Sequence, residues 1–471
     1  MLKNKIQSEI LSYLNFEPTL GQMVAIDGLA NFVVDTRPNT CILLRGFAGT
    51  GKTSIIAGYV KALEKFSVKF KLLAPTGRAA KVLSEYSGYK ANTIHKCIYR
   101  QKSMKEGVGR FVLDLNKLVN AIFIVDEASM LSNTSFDDSI FGSGKLLSDL
   151  IEYVKQGNSC RLILVGDTAQ LPPVGLDLSP ALDFSLLTGL DLDVKEFYLN
   201  EVVRQQKESG ILYNATKIRE VIDSGIVVTP KLSTKGFDDV RRIGGGELLE
   251  HLSEEYRNNG REGNVVICYS NKRANRFNNG VRSRILFSDE ELSVGDYLMV
   301  ARNSYFWVDG YPDIGFIANG DIVEVTRIGK RYEMYGFRFA DLTIRLLDDD
   351  KQLIDVRIIL DSLMMDGPSL GADHMKNLYQ QVAQDYMHIK TYKARLKKIK
   401  EDSFFNAMQV KFAYAVTCHK AQGGQWPNVF IDQGFFRKEM LTREYLRWLY
   451  TAITRATEKV YLVNFDEAFF C

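Results

Sequence analysis

At 471 residues the chain is too long for a single hydrophobic core, so two or more domains are expected. A composition 46% hydrophobic and 25% charged is that of an ordinary soluble globular protein, which excludes a disordered or fibrous one. A net charge of +3 neither demands nor excludes a nucleic-acid partner, because positive charge can be gathered in one groove.

The first sixteen residues, MLKNKIQSEILSYLNF, are polar and apolar at helical spacing and lack the apolar core of a signal peptide. Thr19-Leu20-Gly21-Gln22 fits a capping box that opens a second helix. Short apolar runs then alternate with helical patterns: CILLRG (41–46), KLLAPT (71–76), AIFIVDE (121–127) and RLILVGD (161–167). Each ends in a polar or glycine-containing turn, as buried parallel strands do when their chemistry lies at the carboxyl ends. A second set follows in VVICYSN (265–271), FAYAVTCHK (412–420), NVFIDQ (428–433) and VYLVNF (460–465), so two α/β domains of similar layout are expected. Two segments interrupt the pattern. The stretch 97–118 contains KEGVG, which can turn a hairpin. The stretch 295–408 opens with strand-like runs and becomes helical and basic around YMHIKTYKARLKKIKED. The six cysteines are scattered without a Cys-x-x-Cys pair and apart from the five histidines. That argues against a zinc site or disulfide framework and fits a reducing cytoplasm. No stretch approaches the roughly 20 apolar residues of a membrane span.

Gly46-Phe47-Ala48-Gly49-Thr50-Gly51-Lys52-Thr53 fits G-x-x-x-x-G-K-[ST], after an expected strand and before an expected helix at 54–63. Glycines let backbone N–H groups approach phosphate oxygens, and the helix N-terminus adds a favourable dipole. Lys52 would reach the β and γ phosphates and the Thr53 hydroxyl would bind Mg²⁺. Asp126 and Glu127 end an apolar strand, where an aspartate can hold Mg²⁺ and a glutamate can orient or deprotonate water.

With these residues the sequence resembles superfamily 1 helicases of the 5′-to-3′ group that contains RecD, phage Dda and the Pif1-like enzymes. The likeness rests on motifs in order: GFAGTGKT, APTGRAAK (74–81), NTIHK (92–96), VDEASM (125–130), GDTAQLPPV (166–174), LNEVVRQ (199–205), VTCHKAQGGQWPNVF (416–430) and LYTAITRATEKVYLV (449–463). The resemblance implies two RecA-like P-loop motor domains, the first over 1–96 and 119–200, the second over 201–294 and 409–471. It implies a hairpin insert at 97–118 and an SH3-like β plus helical insert at 295–408, with FIANGDIVEV (316–325) carrying the latter likeness.

The resemblance also implies roles. ATP and Mg²⁺ are the expected cofactors. Nucleotide would be held by Gln22, Gly46, Ala48, Gly49, Thr50, Gly51, Lys52, Thr53, Ser54 and Gly424, and the metal by Thr53 and Asp126. Gln22 would read the adenine edge, alone or while capping its helix. Gln170 would couple the γ-phosphate to DNA, and Arg204 and Arg455 would be arginine fingers that stabilise transition-state charge. Pro75, Thr76, Arg78, Thr93, His95, Pro173, Asn271, Thr417, His419 and Lys420 would line the path of single-stranded DNA through contacts blind to base sequence. Phe111 is either a wedge that stacks on the terminal base pair or a packing residue of its hairpin. The basic stretch 389–400 either touches DNA or is a solvated helix face. Where the family often has a glutamate, this chain has Gln425. The expectation is a cytoplasmic, monomeric translocase acting on single-stranded DNA and its junctions with duplex, in repair, replication or recombination. An RNA or RNA–DNA hybrid helicase and a nucleotide-switched nucleic-acid clamp without unwinding are the alternatives.

Overall fold

The computed structural model describes residues 2–35, 37–101, 111–134, 142–201, 209–308, 311, 314, 316–347 and 352–470. The first region comprises α1 (Leu2–Ser12), α2 (Leu20–Val34), β1 (Thr40–Gly46), α3 (Lys52–Lys65), β2 (Phe70–Ala74), α4 (Gly77–Ser87), β3 (Ala91–Thr93) and α5 (Ile94–Ile98). It continues through β4 (Tyr99–Gln101), β5 (Phe111–Leu113), β6 (Ile122–Val125), α6 (Leu146–Gln156), β7 (Arg161–Gly166), α7 (Phe184–Gly189) and β8 (Asp193–Leu199). Six of these strands form a parallel sheet in the order β3-β2-β6-β7-β1-β8.

Period-two alternation explains why its strands read as continuous apolar runs. Cys41 and Leu43 of β1, Phe123 and Val125 of β6, and Leu162 and Leu164 of β7 bury on one face. Their neighbours Ile42 and Leu44, Ile122 and Ile124, and Ile163 and Val165 bury on the other. Both faces of these three central strands are buried, so their cores read as unbroken apolar runs.

The second region holds α8 (Gly210–Ser224), β9 (Val240–Ile243), α9 (Leu248–Asn259), β10 (Asn264–Cys268), α10 (Asn271–Arg284), β11 (Tyr297–Val300), β12 (Ile322–Met334), β13 (Phe337–Leu346) and β14 (Leu353–Ile359). Then come α11 (Ala372–Asp385), α12 (Tyr392–Lys400), β15 (Met408–Phe412), β16 (Ala415–Thr417), α13 (Cys418–Ala421), β17 (Trp426–Asp432), α14 (Arg443–Ile453) and β18 (Ala456–Val463). A parallel sheet runs β16-β10-β17-β18-β9, and β11 to β15 close a barrel. The barrel interior and one face of this sheet share a core, in which Leu298, Val323 and Val356 pack with Val266 and Phe430. Helices α11 and α12 sit on a separate small core around Phe337, Phe339 and Leu378. On α12, Lys397 and Lys398 are exposed and reach Glu401 at 3.7 and 3.5 Å, the pattern of a solvated face.

One expected boundary moves. The run 412–420 was expected as one strand of the second α/β domain, with the insert ending at 408. Instead β15 pairs with β11 inside the barrel, and the chain passes into the sheet across Ala413 and Tyr414. The Tyr414 hydroxyl donates to Asp296 at 2.9 Å and accepts from the Tyr297 N–H at 3.1 Å, pinning this crossing. Asp296 also takes two 3.0 Å hydrogen bonds from Arg282, both side chains being under 10% exposed. Arg282→Ala would strand a desolvated carboxylate where barrel meets sheet. Urea unfolding is expected to show a loss of about 3–5 kcal/mol; a loss under about 1 kcal/mol would contradict this account of the junction.

Candidate functional site

The loop after β1 is shaped by its glycines. Gly49 and Gly51 have φ of +74° and +81°, a left-handed conformation that costs other residues energy, and Gly51 occupies the cap position of α3. Thr50 is fully buried and its hydroxyl donates to the Phe47 carbonyl at 2.7 Å. The Lys52 ammonium donates to the Gly46 and Phe47 carbonyls, each at 2.8 Å, so the cation lies within the loop. Thr53 and Ser54 stand in the first turn of α3, where N–H groups have no intrahelical partner. Gln22 closes the capping box on Thr19, and its Nε2 donates to the Thr50 carbonyl at 2.9 Å. The same side chain therefore caps α2 and braces the loop.

Strand β6 delivers the acid pair. The Asp126 N–H extends the ladder to the Leu73 carbonyl at 3.0 Å, and Asp126 Oδ1 accepts from the Glu127 N–H at 2.8 Å. Glu127 adopts φ +52°, a conformation costing a non-glycine residue of order 1 kcal/mol or more. Desolvation, then the charge of Glu127, pushes the Asp126 carboxyl up to about 6, against the pull of Lys52 and Arg455. Arg455 enters from the second region, just past α14, with Nη1 3.5 Å from Glu127 Oε1. Its Nε donates to the Thr451 carbonyl at 3.2 Å and its Nη1 to the Gly424 carbonyl at 3.3 Å. With its amide nitrogen toward the carboxylate, Gln170 donates to Glu127 Oε2 at 3.3 Å and accepts from Arg455 Nη2 at 3.0 Å. Phosphate loop, acid pair, glutamine and arginine thus meet in one cleft between the two sheets. Arg204 lies outside the described residues.

The residues expected along a nucleic-acid path stand at the carboxyl ends of strands. Pro75 and Thr76 follow β2, Thr93 ends β3, Asn271 follows β10 and Thr417 ends β16, while Pro173 comes after β7. In each sheet the strands concerned, β3-β2 and β16-β10, form one edge. Thr76 and Thr93 also cap helices, accepting from the N–H groups of Ala79 and Lys96 at 3.2 Å. Burial pulls His95 down to about 4, which makes it a neutral imidazole near pH 7. His419 is lowered for the same reason. Lys420 is brought down to about 8 by burial and then by Lys411, and it donates to Asn319 Oδ1.

Two of the residues expected at the nucleic acid also contact other protein side chains. Phe111 stands at the turn-side end of the β4-β5 pair, opposite Gln101, and its ring centroid is 4.3 Å from that of Tyr305. Residues 102–110, including the KEGVG run, lie outside the described residues. Arg78 points across the cleft, with its guanidinium 3.7 Å from the Trp426 ring centre and its Nη2 3.4 Å from the Gln425 carbonyl. The Gln425 side chain accepts from the Tyr86 hydroxyl at 3.3 Å, also toward α4. A Cβ on Gly424 would come within 2.7 Å of both Arg78 and Trp426, so this contact requires glycine there. Arg78→Ala should therefore weaken the link between the two regions more than phosphate grip. The expected result is a several-fold smaller stimulation of ATP hydrolysis by single strands, with the salt slope of binding unchanged. A slope reduced by about 0.7 would instead put Arg78 on a phosphate.

Sequence reasoning missed Asp167, Tyr450 and Thr451. All three lie inside quoted motifs, GDTAQLPPV and LYTAITRATEKVYLV, and being polar in otherwise apolar surroundings was their signal. It also missed Arg219, whose guanidinium lies 4.4 Å from the centre of the Phe47 ring. Among the described residues no group of three or more His, Cys, Asp or Glu could hold a metal, and no helix is long and apolar enough to cross a membrane.

The family model for an AAA domain matches residues 33–221, and that for a UvrD-like helicase C-terminal domain matches 412–463. The ATP-dependent DNA helicase dda of Enterobacteria phage T4 is 26% identical over 66% of this chain and 70% of its own. An uncharacterized protein of Methanocaldococcus jannaschii is 25% identical over 94% of this chain, which spans only 38% of that relative's length. A Pif1 helicase from Bacteroides, solved with ADP-AlF3 and ssDNA, aligns with a TM-score of 0.47 at 15% identity, over 97% of this chain and 95% of that one.

Proposed function

We propose that this chain, which belongs to the RecD/Dda/Pif1 type of superfamily 1 helicases, is an ATP-driven motor that moves 5′ to 3′ on single-stranded DNA and unwinds duplex ahead of it. The observation that carries the proposal is the composite cleft: Glu127 and Gln170 come from the side of one sheet and Arg455 from the other, within one hydrogen-bonded group. A site divided between two bodies makes hydrolysis depend on their approach, and lets hydrolysis drive them apart.

In this reading the loop N–H groups and Lys52 bind the β and γ phosphates, and Glu127 orients the attacking water and accepts its proton. Arg455 stabilises the charge that spreads over the γ-phosphoryl oxygens. Thr53 and Asp126 offer hard oxygen donors that would suit Mg²⁺. The ion would neutralise charge on the phosphates. The threonines, asparagine and lysine at the β2-β3 and β10-β16 edges grip phosphates on either side of the cleft, so closing and opening move the strand stepwise. We take the working form to be a cytoplasmic monomer, and the substrates to include junctions of single-stranded and duplex DNA.

Strand displacement on duplexes with a single-stranded tail at one end tests this. Unwinding is expected with a 5′ DNA tail and not with a 3′ tail. Unwinding from the 3′ tail alone would reverse the polarity, and stronger stimulation by RNA strands would favour the RNA reading. Hydrolysis without displacement on any substrate would favour the clamp.

A further inference from the structure

The polar seam between α14 and the first sheet does more than hold two domains together. Tyr450 is 1% exposed, and its hydroxyl makes two bonds into the first region. It accepts from the Ala48 N–H of the phosphate loop at 2.8 Å and donates to Asp167 Oδ2 at 2.7 Å. The next side chain, Thr451, is fully buried and accepts from the Leu171 N–H at 2.9 Å. Adjacent residues of one helix therefore hold both ends of the segment from Asp167 to Leu171. Gln170, which bridges Glu127 and Arg455, lies within it. The Thr451 carbonyl in turn accepts from Arg455 Nε. Phe47, Ala169 and Leu171 are buried in the same apolar cluster as Leu446 and Leu449 of α14, so the seam is dry. In such surroundings a hydrogen bond is strong and an orphaned partner costly.

We infer that Tyr450 is a positioning residue: by tying α14 to the phosphate loop and to Asp167, it sets Gln170 between Glu127 and Arg455 and passes movement of α14 to the loop. Tyr450 itself touches no reacting atom. Its effect runs through Gln170, and this deepens the motor reading above and rests on it.

The test is Tyr450→Phe, which keeps the ring and removes only the hydroxyl, read by steady-state ATP hydrolysis with a saturating DNA single strand. The expected result is a kcat lower by about 10- to 100-fold, the worth of hydrogen bonds to a charged group and a buried amide, with KM for ATP within about 2-fold. In a Gln170→Ala background the same substitution is expected to cost less than about 2-fold, because the group it positions is gone. Thr451→Val is carried through the same cycle and decides the matter if Tyr450→Phe does not fold. A wild-type kcat in Tyr450→Phe, or an equal loss with and without Gln170, overturns the inference while leaving the motor intact. A wild-type protein that hydrolyses no ATP overturns both.

Discussion

Arg455→Ala is expected to lower DNA-stimulated ATP hydrolysis by about 10³- to 10⁵-fold while ATP binding changes little. Arg455 is 3% exposed, and its guanidinium is held from behind by the Thr451 and Gly424 carbonyls. Its orientation is therefore fixed before the reaction and needs no reorganisation during it. In a cleft from which water is excluded, a fixed positive charge near the γ-phosphoryl group is worth far more than in water. A cation fixed for the charge distribution of the transition state acts on that state more than on bound ATP, so the loss should fall on kcat rather than on affinity. Arg455→Lys keeps the charge but loses the planar fork that addresses Gln170, Glu127 and two carbonyls together, so only partial recovery is expected. Single-turnover hydrolysis together with the affinity of a fluorescent ATP analogue separates these effects. A rate within tenfold of wild type for Arg455→Ala would assign the residue to holding the domains together.

Which parts of this molecule could be read from its sequence follows from how far apart the interacting residues lie. Central strands were legible because both faces are buried, as at 41–46 and 161–166, where every position is apolar or packed. Edge strand β8 was not, since its exposure alternates along DVKEFYL and gives no continuous apolar run. The switch from barrel to sheet at Ala413 and Tyr414 was hidden by a run that stays apolar through both elements. At the site, local geometry was readable: loop glycines, the end of β6 and the capping threonines are set by neighbours within a few residues. Contacts across the cleft were not. Ala48 and Tyr450 are 402 positions apart, and no spacing rule connects them. Arg78 illustrates the same limit. Its motif suggested a phosphate, and a further partner, Trp426, belongs to the other sheet, so only the assembled domains show that pair.

Glu127→Gln should produce the second large effect, a fall in hydrolysis of about 10²- to 10⁴-fold, the usual contribution of a positioned general base. The replacement is nearly isosteric, so the left-handed backbone at this residue and its strain are unchanged. The carboxylate now faces Arg455 and the Gln170 amide, and both can still meet an amide oxygen, so the cleft should close as before. An amide cannot accept a proton from water, and chemistry stops at the bound-ATP stage. Affinity should not fall. Removing the charge of Glu127 takes away one of the causes that hold the Asp126 carboxyl up, leaving it readier to ionise. The variant should therefore bind ATP at least as tightly as wild type and remain on single-stranded DNA in its presence, measurable as slower dissociation of a labelled strand. Hydrolysis unaffected by the substitution would remove Glu127 from the chemistry. A parallel loss of ATP affinity would mean instead that its main work is holding Arg455 across the cleft, and the composite site would have to be redrawn around that ion pair.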